Sequence, residues 1–168
     1  MTMPPPGTSP HDPEAIYRDL RSRALGARPE EIGIEPAEDD DRPYGALMET
    51  GYPNGVATLA AFATGDASLY FSSGGGVIGG IGHEAVHAAA RRLVNLANEF
   101  LPAMEKVAEY PLPAAGAIRF YAVTPRGVFT VAAGESDLGE QRHPFSPLFY
   151  AAHDVITELR LLTQQGPG

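Results

Sequence analysis

The sequence predicts an α+β domain built on a mainly antiparallel sheet of about five strands. Turn residues at Thr64–Asp66 and Pro125–Gly127 each separate two strand-like runs, and such short connections require antiparallel neighbours. Two longer stretches carry apolar residues at helical spacing, which indicates helices packed on that sheet. The length of 168 residues suits one domain of this kind.

The N-terminal region is predicted to hold one short helix. Residues 1–12 are rich in proline, and we expect them to be disordered. Residues 13–26 are predicted to form a separate amphipathic helix, because Asp12 can cap it, Pro13 suits its first position and Gly26 can end it. Its expected apolar face consists of Ile16, Leu20 and Leu25.

An acidic segment follows this helix. Positions 30 to 41 hold seven acidic residues and no basic one, and they supply −7 of the net charge of −9. Because like charges repel and extend a chain, residues 27–43 are predicted to form a solvated linker. Residues 44–164 are close to neutral and are predicted to be a single α+β domain, and residues 165–168 a tail.

The predicted strands fall into two groups on either side of a long helix. Three strands come first, at residues 46–52, 56–63 and 67–72. A hairpin comes later, at residues 117–124 and 128–133.

Two long helices complete the predicted domain. The first starts at His83, and Pro102 must kink or end it because its ring clashes with the preceding turn. The second starts at Ser146, a good cap, and runs to about Gln164. The apolar stripes are Val86, Ala90, Leu93, Ala97, Phe100 and Met104 in the first, and Leu148, Ala152, Val155, Leu159 and Leu162 in the second.

After the N-terminal helix, the predicted order is β-β-β-α-β-β-α. A five-stranded antiparallel sheet with helices in this order resembles profilin-like and roadblock-type domains over most of residues 44–164. The resemblance implies a fold. It carries no functional residue to this chain, because function depends on the site and not on the fold.

Composition excludes several classes of protein. The chain has no cysteine, which excludes disulfides, thiolate metal sites and cysteine nucleophiles and suits a cytoplasmic location. It has no basic stripe, so we expect no nucleic-acid partner. No apolar run approaches the roughly 18 residues of a membrane span, and the N-terminus lacks the pattern of a signal peptide, so we expect a soluble protein without a membrane partner. One lysine against eleven arginines favours a bacterial source.

His83, Glu84 and His87 fit the H-E-x-x-H pattern of zinc-dependent hydrolases. Two histidines four residues apart on a helix can share one Zn²⁺, and the glutamate can activate the bound water. On this interpretation His83 and His87 are metal ligands and Glu84 is the general base. The alternative is structural: His83 and Glu84 close the first turn of the helix, and His87 lies at the rim of the core.

A zinc site of this type also needs a third ligand. The metzincin continuation is absent, because Ala90 and Leu93 stand where that pattern has glycine and histidine. Glu158 on the final helix is the candidate third ligand, with His143 and Asp154 as alternatives.

Gly74, Gly75, Gly76 and Gly79 form a glycine-rich segment of the pattern G-x-G-x-x-G before the long helix. A dinucleotide fold would need an acidic residue after the next strand, but Arg126 follows that strand, so this interpretation fails. Glycines before a helix can offer N–H groups to an anion, which makes these four candidate anion-binding residues. The alternative is a loop whose glycines permit tight turns or close packing.

Two functions remain open. The first is a non-catalytic protein-interaction or regulatory module that can self-associate through a sheet edge or a helix pair. Its N-terminal helix can dock on another surface through Arg18, Arg21 and Arg23. The second is a zinc-dependent hydrolase. We favour the module, with a protein partner and no cofactor, because no complete set of catalytic residues is visible.

Overall fold

A seven-stranded antiparallel sheet forms the centre of the structure, a computed structural model that describes residues 12–35, 41–79 and 82–164. In chain order its strands are β1 Gly45–Tyr52, β2 Gly55–Phe62, β3 Ala67–Phe71, β4 Gly76–Gly79, β5 Glu105–Val107, β6 Ala117–Thr124 and β7 Gly127–Gly134. Their order in the sheet is β4-β3-β2-β1-β6-β7-β5, and every pair is antiparallel.

Four α-helices and two short 3₁₀ segments accompany these strands in the described residues. The helices are α1 Pro13–Leu25, α2 Glu84–Phe100, α3 Glu135–Gly139 and α4 Ser146–Gln164. The 3₁₀ segments are Pro29–Ile32 and Leu101–Ala103. Helix α2 ends just before Pro102, as the clash of its ring requires. None of these helices combines the length and the apolar content that crossing a membrane demands.

The α+β class and the antiparallel sheet are confirmed, whereas the number of about five strands is wrong. The two missed strands, β4 and β5, form the two edges of the sheet. Strand β4 reads Gly-Val-Ile-Gly and β5 reads Glu-Lys-Val, so neither has the length or the alternation of a strand pattern. Their pairing depends on a neighbouring strand and not on their own sequence.

The sheet lies between two helical layers because neighbouring residues of a strand face opposite sides. Met48 faces α2 and α4, and Leu47 faces α1. The α2/α4 side buries a large apolar cluster that includes Leu59, Leu69, Leu93, Phe120, Leu148 and Leu159. The α1 side buries a smaller cluster that includes Tyr17, Leu25, Tyr44, Tyr70 and Tyr121.

Helix α1 is packed on the sheet and is not separate from it, contrary to the prediction. Asp12 caps it as expected, accepting a hydrogen bond from the Glu14 N–H at 3.3 Å. Leu20 and Leu25 of the predicted face pack on the sheet, but Ile16 is 45% exposed and Tyr17 is buried in its place. Tyrosine is less apolar than isoleucine, but its ring packs on the sheet while its hydroxyl hydrogen-bonds Thr58.

The acidic segment is also partly packed, although it was predicted to be a solvated linker. Ala27 and Pro29 are buried, and the hydroxyl of Tyr44 donates to the carbonyl of Ala27. Glu30 and Glu31, which directly follow Pro29, remain exposed. The central part of the predicted linker, at 36–40, lies outside the described residues. So do the predicted tail at 165–168 and the predicted disordered N-terminus, except for Asp12.

Candidate functional site

The H-E-x-x-H residues lie at the start of α2. His83 is the N-cap residue and Glu84 the first helical residue, and both side chains are exposed. His87 is one turn further on, where its N–H donates to the carbonyl of His83 at 3.1 Å. Its ring is half-buried over the β2–β3 turn, since a Cβ placed on Gly65 would lie 2.8 Å from the His87 Cγ. The Nε2 atom of His87 is buried and has no hydrogen-bond partner in the part of the chain that the structure describes.

The third predicted ligand, Glu158, is half-buried on α4. In the described part of the chain, no three histidine, aspartate or glutamate side chains lie together in a metal-binding group. His83 and His87 lie one turn apart at the start of α2. Glu158 does not form a metal-binding group with them in the described residues. Zinc binding and the base role of Glu84 stay predictions.

The glycine-rich segment forms a turn and an edge strand instead of a continuous loop. Gly74 and Gly75 adopt positive φ values of 116° and 83° in the β3–β4 turn. A Cβ on Gly76 would lie 2.4 Å from the Leu69 carbonyl oxygen, and one on Gly79 would lie 2.7 Å from the Leu159 Cδ2. Conformation explains the first two glycines and close packing explains the other two. Anion binding by these glycines stays a prediction.

Strand β4 exposes part of its backbone at the edge of the sheet. The N–H of Phe71 donates to the carbonyl of Gly75 at 3.1 Å, and Leu69 pairs with Val77 in the β3–β4 ladder. Hydrogen-bonded positions alternate along an antiparallel pair. The N–H and C=O groups of Gly76 and Ile78 therefore point away from β3, and no strand among the described residues pairs with them.

Strand β4 and the two helices that flank this edge, α1 and α4, each carry one exposed aliphatic side chain. Ile78 of β4 is 79% exposed. Ile16 of α1 is 45% exposed and lines a shallow cavity of about 160 Å³ beside Gly74 and Gly75. Leu161 of α4 is 40% exposed, and its neighbour Leu162 lies directly over Gly79. We call Ile16, Ile78 and Leu161 together with the outer backbone of β4 the β4 edge surface.

The opposite edge has a different chemistry. Strand β5 has three residues, of which Glu105 and Lys106 are exposed and charged. Short length and charged side chains are the usual protection of a sheet edge against pairing with another chain. Strand β4 has no charged residue. Within the described residues, one edge is thus protected and the other is unpaired and uncharged.

A cleft of about 470 Å³ lies between α2 and the segments on either side of residues 36–40. Its apolar lining comes from Pro29, Ile34, Pro43, Tyr44, Ala63, Val94 and Pro125. Its polar lining comes from Glu35, Arg42, Asn95, Asn98 and Glu99. This volume falls in the range of small-molecule and side-chain pockets.

Two carboxamides on α2 line this cleft without partners. Asn95 and Asn98 are exposed and, among the described residues, neither side chain takes part in a hydrogen bond or an ion pair. Positions three apart on a helix lie side by side, with Cβ atoms about 5–6 Å apart. The cleft therefore presents two adjacent groups that each can donate and accept hydrogen bonds.

A buried ion pair joins α1 to the sheet. The carboxylate of Glu49 in β1 is fully buried. It accepts hydrogen bonds from the Nε of Arg21 at 2.6 Å and from its Nη2 at 2.9 Å. Thr58 also donates to Glu49 at 2.7 Å, and the hydroxyl of Tyr17 lies 2.6 Å from that of Thr58. Burial alone would lower the pKa of Arg21, but the hydrogen bond and charge of Glu49 outweigh it and raise that pKa.

Tyr121 borders this ion pair and donates its hydroxyl to the carbonyl of Pro111 at 2.6 Å. Burial, reinforced by the charge of Glu49, raises the pKa of Tyr121 to about 12. The Glu49 carboxylate and the hydroxyls of Tyr17, Thr58 and Tyr121 are all engaged within the protein. We therefore interpret it as a structural contact that holds α1, and not as a reactive centre.

His153 on α4 is a second half-buried histidine, and its buried Nε2 has no hydrogen-bond partner among the described residues. Its ring packs edge-on against Phe149, with centroids 4.4 Å apart. Burial lowers the pKa of His153, so the neutral imidazole is favoured in the folded protein.

Sequence reasoning missed Glu49, Asn95 and Asn98. Glu49 is the single charged residue in strand β1. It lies two positions after Leu47, so both side chains face the same side of the sheet. A buried partner for Glu49 could therefore have been predicted. Arg21 was one of three arginines expected to dock, and it does so within the chain. Nothing in the local sequence marks Asn95 and Asn98 as lining a cleft.

Comparison of the chain with protein-family models, with curated proteins and with solved structures finds no match. Its geometry is accordingly the basis on which a function can be assigned.

Proposed function

We propose that this protein is a non-catalytic protein-interaction module that acts as a two-fold dimer through its β4 edge surface. The observation that carries the proposal is the open, uncharged edge of β4 with Ile78 79% exposed. Large exposed aliphatic side chains around the unpaired outer edge of a strand are a marker of an interaction site. A cytoplasmic location, favoured by the absence of cysteine, belongs to the same proposal.

A second copy of the chain fits this edge in one register. If a two-fold axis passes through Val77, Gly76 of each copy faces Ile78 of the other. Both outward-pointing residues of β4 then exchange both of their backbone hydrogen bonds, which gives about four in total. The side chain of Ile78 lies over a glycine, so no side chain opposes it.

The layers beside the sheet extend the same interface. Two-fold pairing of the strands brings α4 of both copies together on one face and α1 on the other, so that Leu161 and Ile16 also become covered. A dimer interface needs more area than four strand residues provide, and these helices supply it. No charged residue lies on β4 itself to repel the second copy.

The test is the molar mass of Ile78→Lys. We expect the wild-type chain to be a dimer by light scattering and sedimentation equilibrium, and Ile78→Lys to be a folded monomer by circular dichroism. Leu112→Lys is the matched control, because Leu112 is also a half-exposed aliphatic residue but lies between β5 and β6. It should remain a dimer.

A second variant guards against misfolding of the first. Leu161→Lys changes an exposed position of α4 and should also weaken the dimer. A wild-type protein that is monomeric over about a hundred-fold range of concentration would overturn the proposal. Dimers of undiminished stability in both lysine variants would do the same.

A further inference from the structure

We infer that the cleft beside α2, named the Asn95–Asn98 cleft, binds an extended peptide segment of a partner protein. The inference is independent of the dimer, because no described residue of β4 lines the cleft. Its lining comes from α2, Ala63, the β6–β7 turn and the chain on either side of residues 36–40. The Asn95–Asn98 cleft is larger than the cavity beside Gly74 and Gly75.

The spacing of the two carboxamides fits a peptide backbone. In an extended chain the N–H and C=O groups that point to one side recur every second residue, about 6.5–7 Å apart. The side chains of Asn95 and Asn98 start about 5–6 Å apart and can splay to that repeat. Each carboxamide offers one acceptor and two donors, so each can pair with both backbone groups of one peptide residue.

The apolar lining suits one aliphatic side chain between these two contacts. Val94 and Tyr44 are buried at the base of the cleft, and Ala63 is half-buried beside them. Pro29 and Pro43 have fixed backbone angles and form stiff walls. A pocket with stiff walls loses little entropy on binding, which favours a defined anchor residue.

The charges at the mouth of the cleft set the preference of the flanking residues. Two carboxylates, Glu35 and Glu99, and one guanidinium, Arg42, line the cleft, so its lining carries a net negative charge. Both carboxylates are exposed, and neither has an ion pair among the described residues. A basic residue beside the aliphatic anchor would be attracted to them. The expected ligand is therefore an extended segment with a Leu, Ile or Val anchor followed or preceded by Lys or Arg.

The experiment is a selection from a display library of random ten-residue peptides on the full-length protein. Synthetic copies of the selected peptides are then titrated by fluorescence anisotropy. We expect a shared aliphatic-plus-basic pattern. We also expect the Asn95→Ala and Asn98→Ala double variant to bind at least about ten-fold more weakly, since each lost hydrogen bond is worth about 0.5–1.5 kcal/mol.

Filling the cleft gives a second test that does not rely on the amides. Ala63→Leu should abolish binding, whereas Ala88→Leu, on an exposed position of α2, should leave it unchanged. Asn54→Ala in the exposed β1–β2 turn is the control for the amide variants. Circular dichroism of each variant verifies folding.

The result can be separated from that of the dimer. Peptides that bind the cleft should bind Ile78→Lys with the same affinity as they bind the wild type. Peptides that lose binding in Ile78→Lys but keep it in the asparagine and Ala63→Leu variants would occupy the β4 edge and would overturn the inference. A selection that yields no binding peptide would also overturn it.

Discussion

The carboxylate of Glu49 illustrates how much one residue can control. It is fully buried, and the guanidinium of Arg21 neutralises it with two hydrogen bonds of 2.6 and 2.9 Å. A buried ion pair adds little net stability compared with an apolar pair, but loss of one partner leaves a buried charge that is costly. The contact therefore makes the position of α1 on the sheet specific.

Arg21→Met should lower the free energy of unfolding by about 3 kcal/mol, because Glu49 stays buried without its counter-charge. Urea denaturation measures this change. Arg23→Met is the control on the same helix, since Arg23 pairs with Asp19 in an exposed contact at 3.0 Å and should contribute less than about 1 kcal/mol. The double variant Arg21→Met with Glu49→Leu should recover most of the loss. Equal effects of the two single variants would contradict this assignment.

Buried tyrosines predict a loss of stability in alkali. Burial raises the pKa of Tyr17, Tyr44 and Tyr70, and that of Tyr121 to about 12, from an ordinary value of 10. Above pH 10 the unfolded chain releases these protons while the folded chain retains them. The stabilisation is therefore complete below about pH 10 and is lost as the pH rises towards 12.

For Tyr121 about 1 kcal/mol of this loss should fall between pH 9 and pH 11. It can be measured as the free energy of unfolding in urea at about pH 9 and pH 11. Tyr121→Phe should be less stable than the wild type at the lower pH, since it lacks the bond to the Pro111 carbonyl, and should depend less on pH. An unchanged dependence on pH would show that Tyr121 is not the titrating group.

At the scale of the elements, the segment between β5 and β6 passes very close to β1. A Cβ on Gly51 would lie 2.0 Å from the Ala114 carbonyl oxygen, so this segment crosses β1 where a side chain would block it. The same segment supplies the Tyr110 carbonyl to Arg21 and the Pro111 carbonyl to Tyr121. Gly51 thus permits the cover that completes the α1 side of the sheet.

Gly51→Ala should therefore destabilise the protein by about 1–3 kcal/mol, because backbone atoms cannot yield as a flexible side chain would. Gly134→Ala provides the control, since its nearest atom to an added Cβ, the Asp137 Oδ2, is 3.8 Å away. That variant should change stability by less than about 1 kcal/mol, with either sign. Thermal unfolding compares the two, and equal melting temperatures would contradict the steric argument.

The three longer helices α1, α2 and α4 and the long strands were predictable because each carries its own pattern, whereas the five-residue helix α3 was not predicted. The cap at Asp12, the end of α2 before Pro102 and the start of α4 at Ser146 depend on neighbouring residues alone. Strands β4 and β5 were not predictable, because Gly-Val-Ile-Gly and Glu-Lys-Val acquire their structure by pairing with a strand already in place.

At the scale of the whole molecule, the sheet separates two layers of different character. The α2/α4 side is a large apolar core, and the α1 side combines a small apolar cluster with the Arg21–Glu49 pair. The β4 edge surface and the Asn95–Asn98 cleft are at different places on this framework. Each of the two proposed binding functions therefore has its own residues and its own test.

The sequence by itself determined the α+β class, the antiparallel hairpins and the two long amphipathic helices, because these depend on spacing within a short window. It also singled out His83, Glu84 and His87, but a motif does not contain the position of a third ligand. The tertiary structure alone decided that α1 lies on the sheet, that Glu49 meets Arg21 across 28 positions and that Asn95 and Asn98 line a cleft. Such contacts join residues distant in sequence, and only the packing of complete elements brings them together.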